Sequence, residues 1–520
     1  MFKASKQFLS IVNNLSKSFL IFFLFISYLA SGQKESPAES YVVAGNLEEI
    51  GDFDGALLKY REIQERKASF KDIDYRILLL SLAAGEDRES ELDELFALKD
   101  EQGSDDENYL LHLGRIYDSR YEFDKALETW DSYLNSPYRL NNRQRELAEG
   151  LITQTKVKID AFANPDDYEI HLLPVPINSE AAELSPTYFK GKEELLFASS
   201  REGYEDDEVF KIYHAIGEDG NWRDISAVNI LGEFSRNNAN IEAVNEDGKL
   251  FLFSPEKGGD LFYSENRNGT WLLPIEFDSK VSNSHLESHF YINEHEDRII
   301  FSSHKEEKVK GLDLYQSFKD PNSGNWTRPK PFATVINSEM DEDSPYLTPD
   351  EHTLYFSSNG HGSIGGLDIF MTELDSSTLT WSEPVNLGFP INSPDDDIHF
   401  KMNPDMKSGY FSSNRLHGTG DFDIYFFFEI TKINIEGKIY DANSKQRLSG
   451  AEIVFTPSKY EDEKFRAKSD DRGIYNMKII SNEIYDVEIK KGGELIYKDK
   501  FEIHETGSLT ALFIKDFIIR

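Results

Sequence analysis

The stretch "FSSNRLHGTGDFDIY", residues 411–425, combines serines, glycines and aspartates as a catalytic or metal-binding loop does. Asp313, Asp368 and Asp423 each lie twelve residues after a phenylalanine. A carboxylate at the start of a strand can accept backbone N–H groups across the preceding turn and meet nearby serine hydroxyls. Because a catalytic group is not needed in several copies, we expect these three aspartates to be structural.

Two further motifs resemble known chemistry without completing it. His285 and His289 in "HLESH" lie four strand residues apart, which is about 13 Å and too far for one zinc ion. "HGSIGG" at 361–366 approaches the nucleophile elbow of hydrolases, but His361 stands where the first glycine belongs. We therefore expect no catalytic and no metal-binding residues.

Calcium is the alternative cofactor, because it prefers several oxygen ligands and the chain has acidic loops. These loops are "GYEDDEV", "MDEDSPYLTPD" and "SPDDDIHF", and none has the spacing of an EF-hand. The chain contains no cysteine, which excludes disulfides, thiolate metal sites and cysteine nucleophiles. Apart from calcium, we expect no cofactor.

Aromatic positions recur with a step of 55 residues within residues 168–430. They are Phe301, Phe356 and Phe411, and also Trp271, Trp326 and Trp381. Less regular copies begin at residues 197 and 253. Five units of this length predict a five-bladed β-propeller with four-stranded blades. The region resembles the TolB-like, WD-type (WD40-like) propeller repeats of exported bacterial proteins.

The fifth unit ends at "DIYFFFEI" and lacks the fourth strand that carries tryptophan in the other units. The missing piece stands before the first unit, where "YEIHLLPVPINS" from Tyr168 parallels "WSEPVNLGFPINS" from Trp381. We therefore expect residues near 168–175 to pair with the fifth blade. This pairing would close the ring and remove its open edges.

Residues 38–162 carry the periodic apolar face of helices. "GDFDGALLKY" from Gly51 and "YEFDKALETW" from Tyr121 are alike, and Gly85 would open a middle copy at the roughly 34-residue period of helical-pair repeats. The segment resembles tetratricopeptide (TPR) repeats. This resemblance implies an all-α TPR-like solenoid that binds a protein partner. A plain helical bundle is the alternative.

Residues 431–505 alternate short strands with Asn, Gly and Asp turns, which predicts a C-terminal β-sandwich. "GKIYDA", "LSGAEI" and "SDDRGIY" resemble the transthyretin-like, carboxypeptidase regulatory-like domain, without peptidase chemistry. Residues 506–520 are expected to form a tail. The predicted fold class is therefore multidomain: all-α solenoid, five-bladed propeller and sandwich.

Residues 1–32 have the layout of a signal peptide, with lysines ahead of an apolar run at 19–30. The run is shorter than the roughly 20 residues that span a bilayer, and a retained anchor is the alternative. The formal net charge of −38 makes nucleic acid and anionic lipid poor partners. We expect an exported protein whose partner is protein, glycan or a cation.

The order of these segments resembles cell-envelope proteins of Bacteroidota that include the OmpA-family periplasmic component of type IX secretion and gliding. The chain ends at "FIIR" without an OmpA-like domain, so peptidoglycan binding is not implied. The resemblance implies a non-enzymatic scaffold in the periplasm, associated with the outer membrane, that binds other envelope or secretion-machinery proteins. A cell-surface or secreted location is the alternative.

Two other functions remain open at this point. A glycan-binding or glycan-cleaving propeller would bring carboxylates together at the separation found in glycosidases. A secreted calcium-dependent adhesin would use the acidic loops instead.

Overall fold

The structure is a computed structural model. It describes residues 36–519 with the exception of residues 51, 69, 71, 86–91, 103–105, 107, 190–192, 202–209, 219–220, 231–239, 245–248, 255–259, 268–269, 278–280, 282–286, 305–310, 405, 459–463, 482 and 504–511. The predicted signal peptide lies outside the described residues. The chain divides into two compact units, residues 1–156 and 157–520.

Seven helices lie within the described residues. They are α1 (Pro37–Ile50), α2 (Phe53–Glu65), α3 (Ile73–Ala83), α4 (Asp93–Gln102), α5 (Tyr109–Ser119), α6 (Phe123–Leu134) and α7 (Asn142–Ala163). The pair α5 and α6 packs closely because Gly114 has no side chain: a Cβ there would lie 2.2 Å from Nε1 of Trp130. Trp130 is fully buried and donates to the Leu111 carbonyl at 3.0 Å.

The predicted fold class is wrong in its all-α TPR-like solenoid. Helices are confined to residues 37–163 of the described chain, and the rest consists mainly of antiparallel sheets. The middle copy of the helical-pair repeat, which we expected to turn at Gly85, also departs from the roughly 34-residue period. In the structure α3 ends at Ala83 and α4 begins only at Asp93. Local apolar periodicity predicts single helices, whereas the fold of the chain depends on contacts between distant strands.

Five antiparallel sheets follow the helices, and four of them are built from consecutive strands of the chain. The strands are β1 (Tyr168–Leu172), β2 (Glu183–Phe189), β3 (Glu194–Ser199), β4 (Lys211–Glu218), β5 (Asn221–Ala227), β6 (Asn240–Val244), β7 (Lys249–Ser254), β8 (Asp260–Arg267), β9 (Thr270–Trp271), β10 (Ile275–Glu276), β11 (Glu287–Ile292), β12 (Arg298–Ser303), β13 (Asp313–Phe318), β14 (Lys330–Pro331), β15 (Glu342–Leu347), β16 (Thr353–Ser358), β17 (Asp368–Asp375), β18 (Thr380–Trp381), β19 (Val385–Asn386), β20 (Asp397–Met402), β21 (Ser408–Ser413) and β22 (Asp423–Glu429). The fifth sheet combines β20, β21 and β22 with β1.

The first strands of the five sheets, β2, β6, β11, β15 and β20, contact one another in a closed cycle. This arrangement is that of a propeller whose axis is lined by the first strand of each blade. Blade one contains β2–β5, blade two β6–β10, blade three β11–β14 and blade four β15–β19. The fourth-strand position of blades two and four is divided between two short strands.

Blade five takes its outer strand from the other end of the propeller sequence. β1 pairs antiparallel with β22, with Tyr168 opposite Glu429 and Leu172 opposite Tyr425. The predicted ring closure by residues near 168–175 is therefore confirmed. A closed ring leaves no blade with an unpaired neighbour, which a linear run of five sheets could not achieve.

An asparagine joins each of three blades to the next one. Asn178 donates to the carbonyls of Leu173 and Ile424 at 2.8 and 3.0 Å and accepts the Ile424 N–H at 2.8 Å. Asn337 and Asn392 make the same pair of contacts with the third strands of blades three and four. The asparagine of each repeated "INS" sequence therefore joins two blades through side-chain hydrogen bonds to the backbone.

The C-terminal region forms two packed sheets. Its strands are β23 (Lys432–Asp441), β24 (Glu452–Pro457), β25 (Phe465–Lys468), β26 (Ile474–Ile480), β27 (Ile484–Lys491), β28 (Glu494–Glu502), β29 (Leu512–Ile514) and β30 (Phe517–Ile519). One sheet has the order β25-β24-β27-β28, and in the other β23 lies between β26 and the short strands β29 and β30. The segment expected to be a tail therefore supplies two parallel strands.

Candidate functional site

Asp368, one of the aspartates singled out in the sequence, ties its hairpin to the outer strand of blade four. Its carboxylate accepts the Ile364 N–H and the Asn386 side-chain amide, both at 2.6 Å. The Gly365 N–H adds a longer contact of 3.4 Å. Burial raises the pKa of Asp368 to about 7, against the hydrogen bonds that favour the ionised form.

Asp423 occupies the equivalent position in blade five. It accepts the backbone N–H groups of Thr419 and Gly420 at 2.5 and 3.1 Å, and burial raises its pKa above the ordinary value. Asp313 opens β13 and lies opposite Ser303 in the register of blade three. In blades four and five, therefore, the carboxylate meets the turn of its own hairpin.

The repeated tryptophans lie between blades. Trp271, Trp326 and Trp381 each belong to the outer edge of a blade and pack with apolar residues of the preceding blade. Trp222 of blade one does the same against Tyr410 of blade five, at 6.1 Å between ring centroids. These aromatic rings fill the wedge-shaped gaps between neighbouring blades.

The remaining residues that the sequence suggested as functional do not form a common site. His285 and the acidic loop at 203–209 lie outside the described residues. His361 approaches the Ile336 carbonyl at 2.8 Å and a Glu342 oxygen at 3.5 Å, so it fastens a hairpin. No cluster of three or more histidine, aspartate or glutamate side chains suited to a metal ion is found in the described part of the chain.

The first strands of four blades break register with their second strands at the same place, two residues into the strand. The residues at this place are Ser185, His289, Ser344 and His399, which we call the axial layer. Three of them have left-handed φ angles of 55°, 50° and 57°, for Ser185, Ser344 and His399. Such a backbone costs on the order of 1 kcal/mol per residue without glycine, and residues held this way are concentrated at functional sites.

An aspartate from blade four holds the histidine from blade three. His289 Nδ1 lies 3.0 Å from Asp343 Oδ2, and Ser302 donates to Asp343 Oδ1 at 2.6 Å. Burial opposes the ionisation of Asp343, but His289, Ser302 and the Ser344 N–H outweigh it and keep the pKa of this carboxyl well below its usual range. Asp343 is therefore an ionised partner that fixes the orientation of the imidazole.

His399 reaches His289 from blade five, which is not the neighbour of blade three. The two rings meet edge to face at 4.4 Å between centroids, so they span the axis beside blade four. His399 is 3% exposed, and neither ring nitrogen has a hydrogen-bond partner within the described residues. Burial, together with the nearby His289, lowers the pKa of His399 well below its ordinary value.

The serines of the axial layer resemble His399, because their polar groups are also buried without a hydrogen-bond partner among the described residues. The hydroxyls of Ser185 and Ser344 are buried and make no hydrogen bond to the residues that the structure describes. A buried polar group without a partner costs about 1–3 kcal/mol. Three such residues at equivalent positions around one axis indicate groups that are kept for a ligand or ordered water rather than for packing.

Two tyrosines stand two residues after the axial layer, on the first strands of blades three and four. Tyr291 and Tyr346 meet edge to face at 5.8 Å between centroids, and burial raises the pKa of both hydroxyls, so both stay protonated. Lys401 of blade five donates to Thr187 of blade one at 2.7 Å. The side chain of His289 remains 14% exposed, so solvent reaches this member of the axial layer.

Sequence reasoning missed the axial layer because it searched for motifs along the chain. A signal exists in the repeat itself: each axial residue stands two positions after an acidic residue, in "ELS", "ESH", "EDS" and "DIH". Superposing the blades by their "INS" elements would have aligned Ser185, Ser344 and His399, and His289 stands at the same distance, eight residues, from Val281 as these three do from the isoleucine of "INS". The chemistry of the site depends on residues of different blades, which no linear motif contains.

Neither a protein-family model nor a curated protein matches this chain. Solved structures do match, at low identity. A gluconolactonase of Xanthomonas campestris is 11% identical, covering 51% of this chain and 90% of its own, with a TM-score of 0.32. An α-L-arabinofuranosidase of Lactobacillus brevis is 13% identical, covering 49% and 92%, with a TM-score of 0.33.

An exo-β-1,3-galactanase of Clostridium thermocellum is 11% identical and covers 65% of this chain and 87% of its own, with a TM-score of 0.36. Because all three proteins are named as enzymes, our expectation that the chain is not an enzyme is contradicted. At these TM-scores their substrates do not carry over to this chain.

The predicted export, envelope location and protein partners stay predictions. Within the described residues, none of the helices combines the length and the apolar character that crossing a membrane requires.

Proposed function

We propose that the propeller is a carbohydrate-active module, which binds a neutral sugar chain at the axial layer and uses His289 and Asp343 as its acid–base pair. The observation that carries this proposal is the meeting of the Asp343–His289 pair with the unpartnered ring of His399 at the axis. These three residues come from blades three, four and five.

The chemistry of the layer favours a ligand rich in neutral hydroxyl groups. A hydroxyl both donates and accepts, which suits the Ser185 and Ser344 hydroxyls and a neutral His399 that has one donor and one acceptor nitrogen. The ionised Asp343 disfavours an anionic ligand. Tyr291 and Tyr346 supply the partly apolar surface that sugar rings need.

The Asp343–His289 pair suits proton transfer. A carboxylate that holds one imidazole nitrogen sets the orientation of the ring and stabilises the imidazolium that forms when a proton is taken up. A histidine held in this way can accept a proton from a bound hydroxyl or water and return it to a leaving oxygen. Cleavage or modification of a bound sugar at the axis is the reaction class that this geometry permits.

The test uses the full chain and a panel of neutral xylo-, arabino-, galacto- and gluco-oligosaccharides. Calorimetry measures binding, and release of reducing ends measures cleavage. Asp343→Asn should lower cleavage by about 10²- to 10⁴-fold, because general acid–base groups contribute that much, while affinity changes far less. His399→Gln should weaken binding by about tenfold, since hydrogen bonds of one or two kcal/mol are lost.

Glu383→Gln is the control variant, because Glu383 is exposed between β18 and β19 at the outer edge of blade four, whereas the axial layer lies on the first strands. It should leave both binding and cleavage unchanged. Near-ultraviolet circular dichroism verifies the fold of each variant. Binding that is absent for every sugar, or that is equal in His399→Gln and Glu383→Gln, would contradict the proposed function.

A further inference from the structure

A groove lies on the outer face of one sheet of the sandwich, in a different part of the chain from the axial layer. Its volume is about 460 Å³, and β24, β25, β27 and β28 form its floor and walls. Five of its eleven lining residues are lysine or arginine, whereas two are acidic. The groove is therefore a cationic surface on a chain whose net charge is −38.

The register places these charges in rows across the sheet. Arg466 of β25 lies opposite Val454 of β24, which in turn lies opposite Glu488 of β27. Lys498 of β28 stands opposite Glu488 and donates to it at 3.0 Å. Lys490 lies 3.6 Å from the same carboxylate. The floor of the groove is therefore apolar and hydroxylated on β24 and acidic on β27. Cationic side chains stand on both sides of this floor.

The two acidic side chains of the groove are surrounded by more cations than they neutralise. Asp486 lies opposite Thr456 and Lys500 in the next row of the sheet. The outer lysines are exposed, and so is Arg466. A charge-assisted hydrogen bond to an incoming anion is about twice as strong as a neutral one, so these exposed cations favour carboxylate or sulfate groups.

The backbone of this face argues against a peptide as the occupant. β24 and β27 are paired on both sides, so their N–H and C=O groups are already used within the sheet. A peptide that lies across the face could not add a strand there, so it would gain no main-chain hydrogen bonds from β24 or β27. A sugar chain presents hydroxyls that side chains such as Thr456, Asp486 and Glu488 can satisfy.

We infer that this groove of the sandwich binds an acidic glycan, with sugar carboxylates or sulfates on its flanking lysines and arginine and sugar hydroxyls on Thr456, Asp486 and Glu488. The inference is independent of the axial layer and goes beyond the proposed function, because it concerns an anionic ligand and a different domain.

The test measures binding of oligogalacturonate to the full chain by calorimetry at several salt concentrations. The double variant Arg466→Glu/Lys500→Glu should weaken binding by about tenfold or more, since it removes one cation on each side of the floor. Binding by the unaltered chain should weaken steeply with added salt, because exposed charges are screened. Lys438→Glu/Lys478→Glu is the matched control, with the same charge change on the outer face of the other sheet.

Three results would overturn the inference. Equal affinity in both double variants would remove the site from the groove. Binding of poly-L-glutamate of the same length that is equally tight and equally weakened by Arg466→Glu/Lys500→Glu would assign the groove to acidic peptides. Binding of neutral galacto-oligosaccharide that is weakened by this double variant as much as oligogalacturonate binding would remove the requirement for charge. Asp343→Asn should leave oligogalacturonate binding unchanged, so failure at this groove and failure at the axial layer can be told apart.

Discussion

Two buried aspartates of the propeller have opposite pKa shifts because their neighbours differ. Asp343 faces the imidazole of His289 and a serine hydroxyl, and its pKa lies below the ordinary range. Asp368 has only neutral hydrogen-bond donors, so burial prevails and raises its pKa to about 7. The residue type alone would have assigned both carboxylates the same role. Their surroundings distinguish them: Asp343 is an ionised partner of a histidine, whereas Asp368 stabilises a turn.

The raised pKa of Asp368 predicts a loss of stability with rising pH. The carboxyl ionises near 3.8 in the unfolded chain and near 7 in the folded one, so the folded state holds the extra proton between these values. From pH 5 to pH 8.5 the free energy of unfolding should fall by roughly 3 kcal/mol through this group. Asp368→Asn keeps the two short hydrogen bonds and should remove that fall.

Denaturant unfolding at both pH values measures the effect. Asp421→Asn, an exposed change on the corresponding hairpin of blade five, is the control and should follow the unaltered chain. Parallel pH dependences in Asp368→Asn and the unaltered chain would show that Asp368 does not titrate as described.

At the scale of elements, the ring depends on one short strand that precedes all the blades. β1 completes blade five, and Asn178 just after it fastens the third strand of that blade at Ile424. The equivalent asparagines of blades three and four join segments that are close in sequence, whereas Asn178 joins segments 246 residues apart. Closure of the ring therefore carries a larger loop-closure entropy than the equivalent contacts of blades three and four.

Asn178→Ala should lower the free energy of unfolding by about 2–4 kcal/mol, because it leaves buried backbone groups unpaired. Hydrogen exchange should rise first in β1 and β22, whose pairing it supports. Asn322→Ala in an exposed turn of blade three is the control and should have little effect. Unchanged exchange in β1 and β22 would mean that strand pairing alone closes the ring.

At the scale of the whole molecule, charge is the main feature. A net charge of −38 keeps the chain apart from polyanions in general, so any anionic ligand must meet a local cationic surface such as the sandwich groove. The same charge repels itself in the folded state. Stability should therefore depend on ionic strength more than on any single surface ion pair.

Raising sodium chloride from 20 to 500 mM should raise the Tm by a few degrees, since screening shortens the reach of repulsion to a few ångströms. Choline chloride should raise the Tm as much as sodium chloride does, because screening of charge does not require a particular cation. A further rise with calcium chloride at matched ionic strength would support the calcium-dependent adhesin instead. A Tm that does not change with salt would contradict a stability limited by charge.

The sequence by itself determined the propeller repeat, its five units and its closure by residues near 168, because strand alternation, turn residues and a fixed step of 55 residues are local properties. It also singled out Asp368 and Asp423, whose partners lie mainly within a few residues of the chain. The sequence-based prediction of an all-α solenoid was wrong, because local helical periodicity does not determine the fold class.

Only the tertiary structure decided the candidate sites. His289, Asp343 and His399 belong to three blades and meet because the ring brings their first strands around one axis. The cationic groove likewise arises from the pairing of four strands across one sheet. The physical reason is the same in both cases: side-chain chemistry at these places depends on burial and on neighbours from distant segments, which the linear order of residues does not specify.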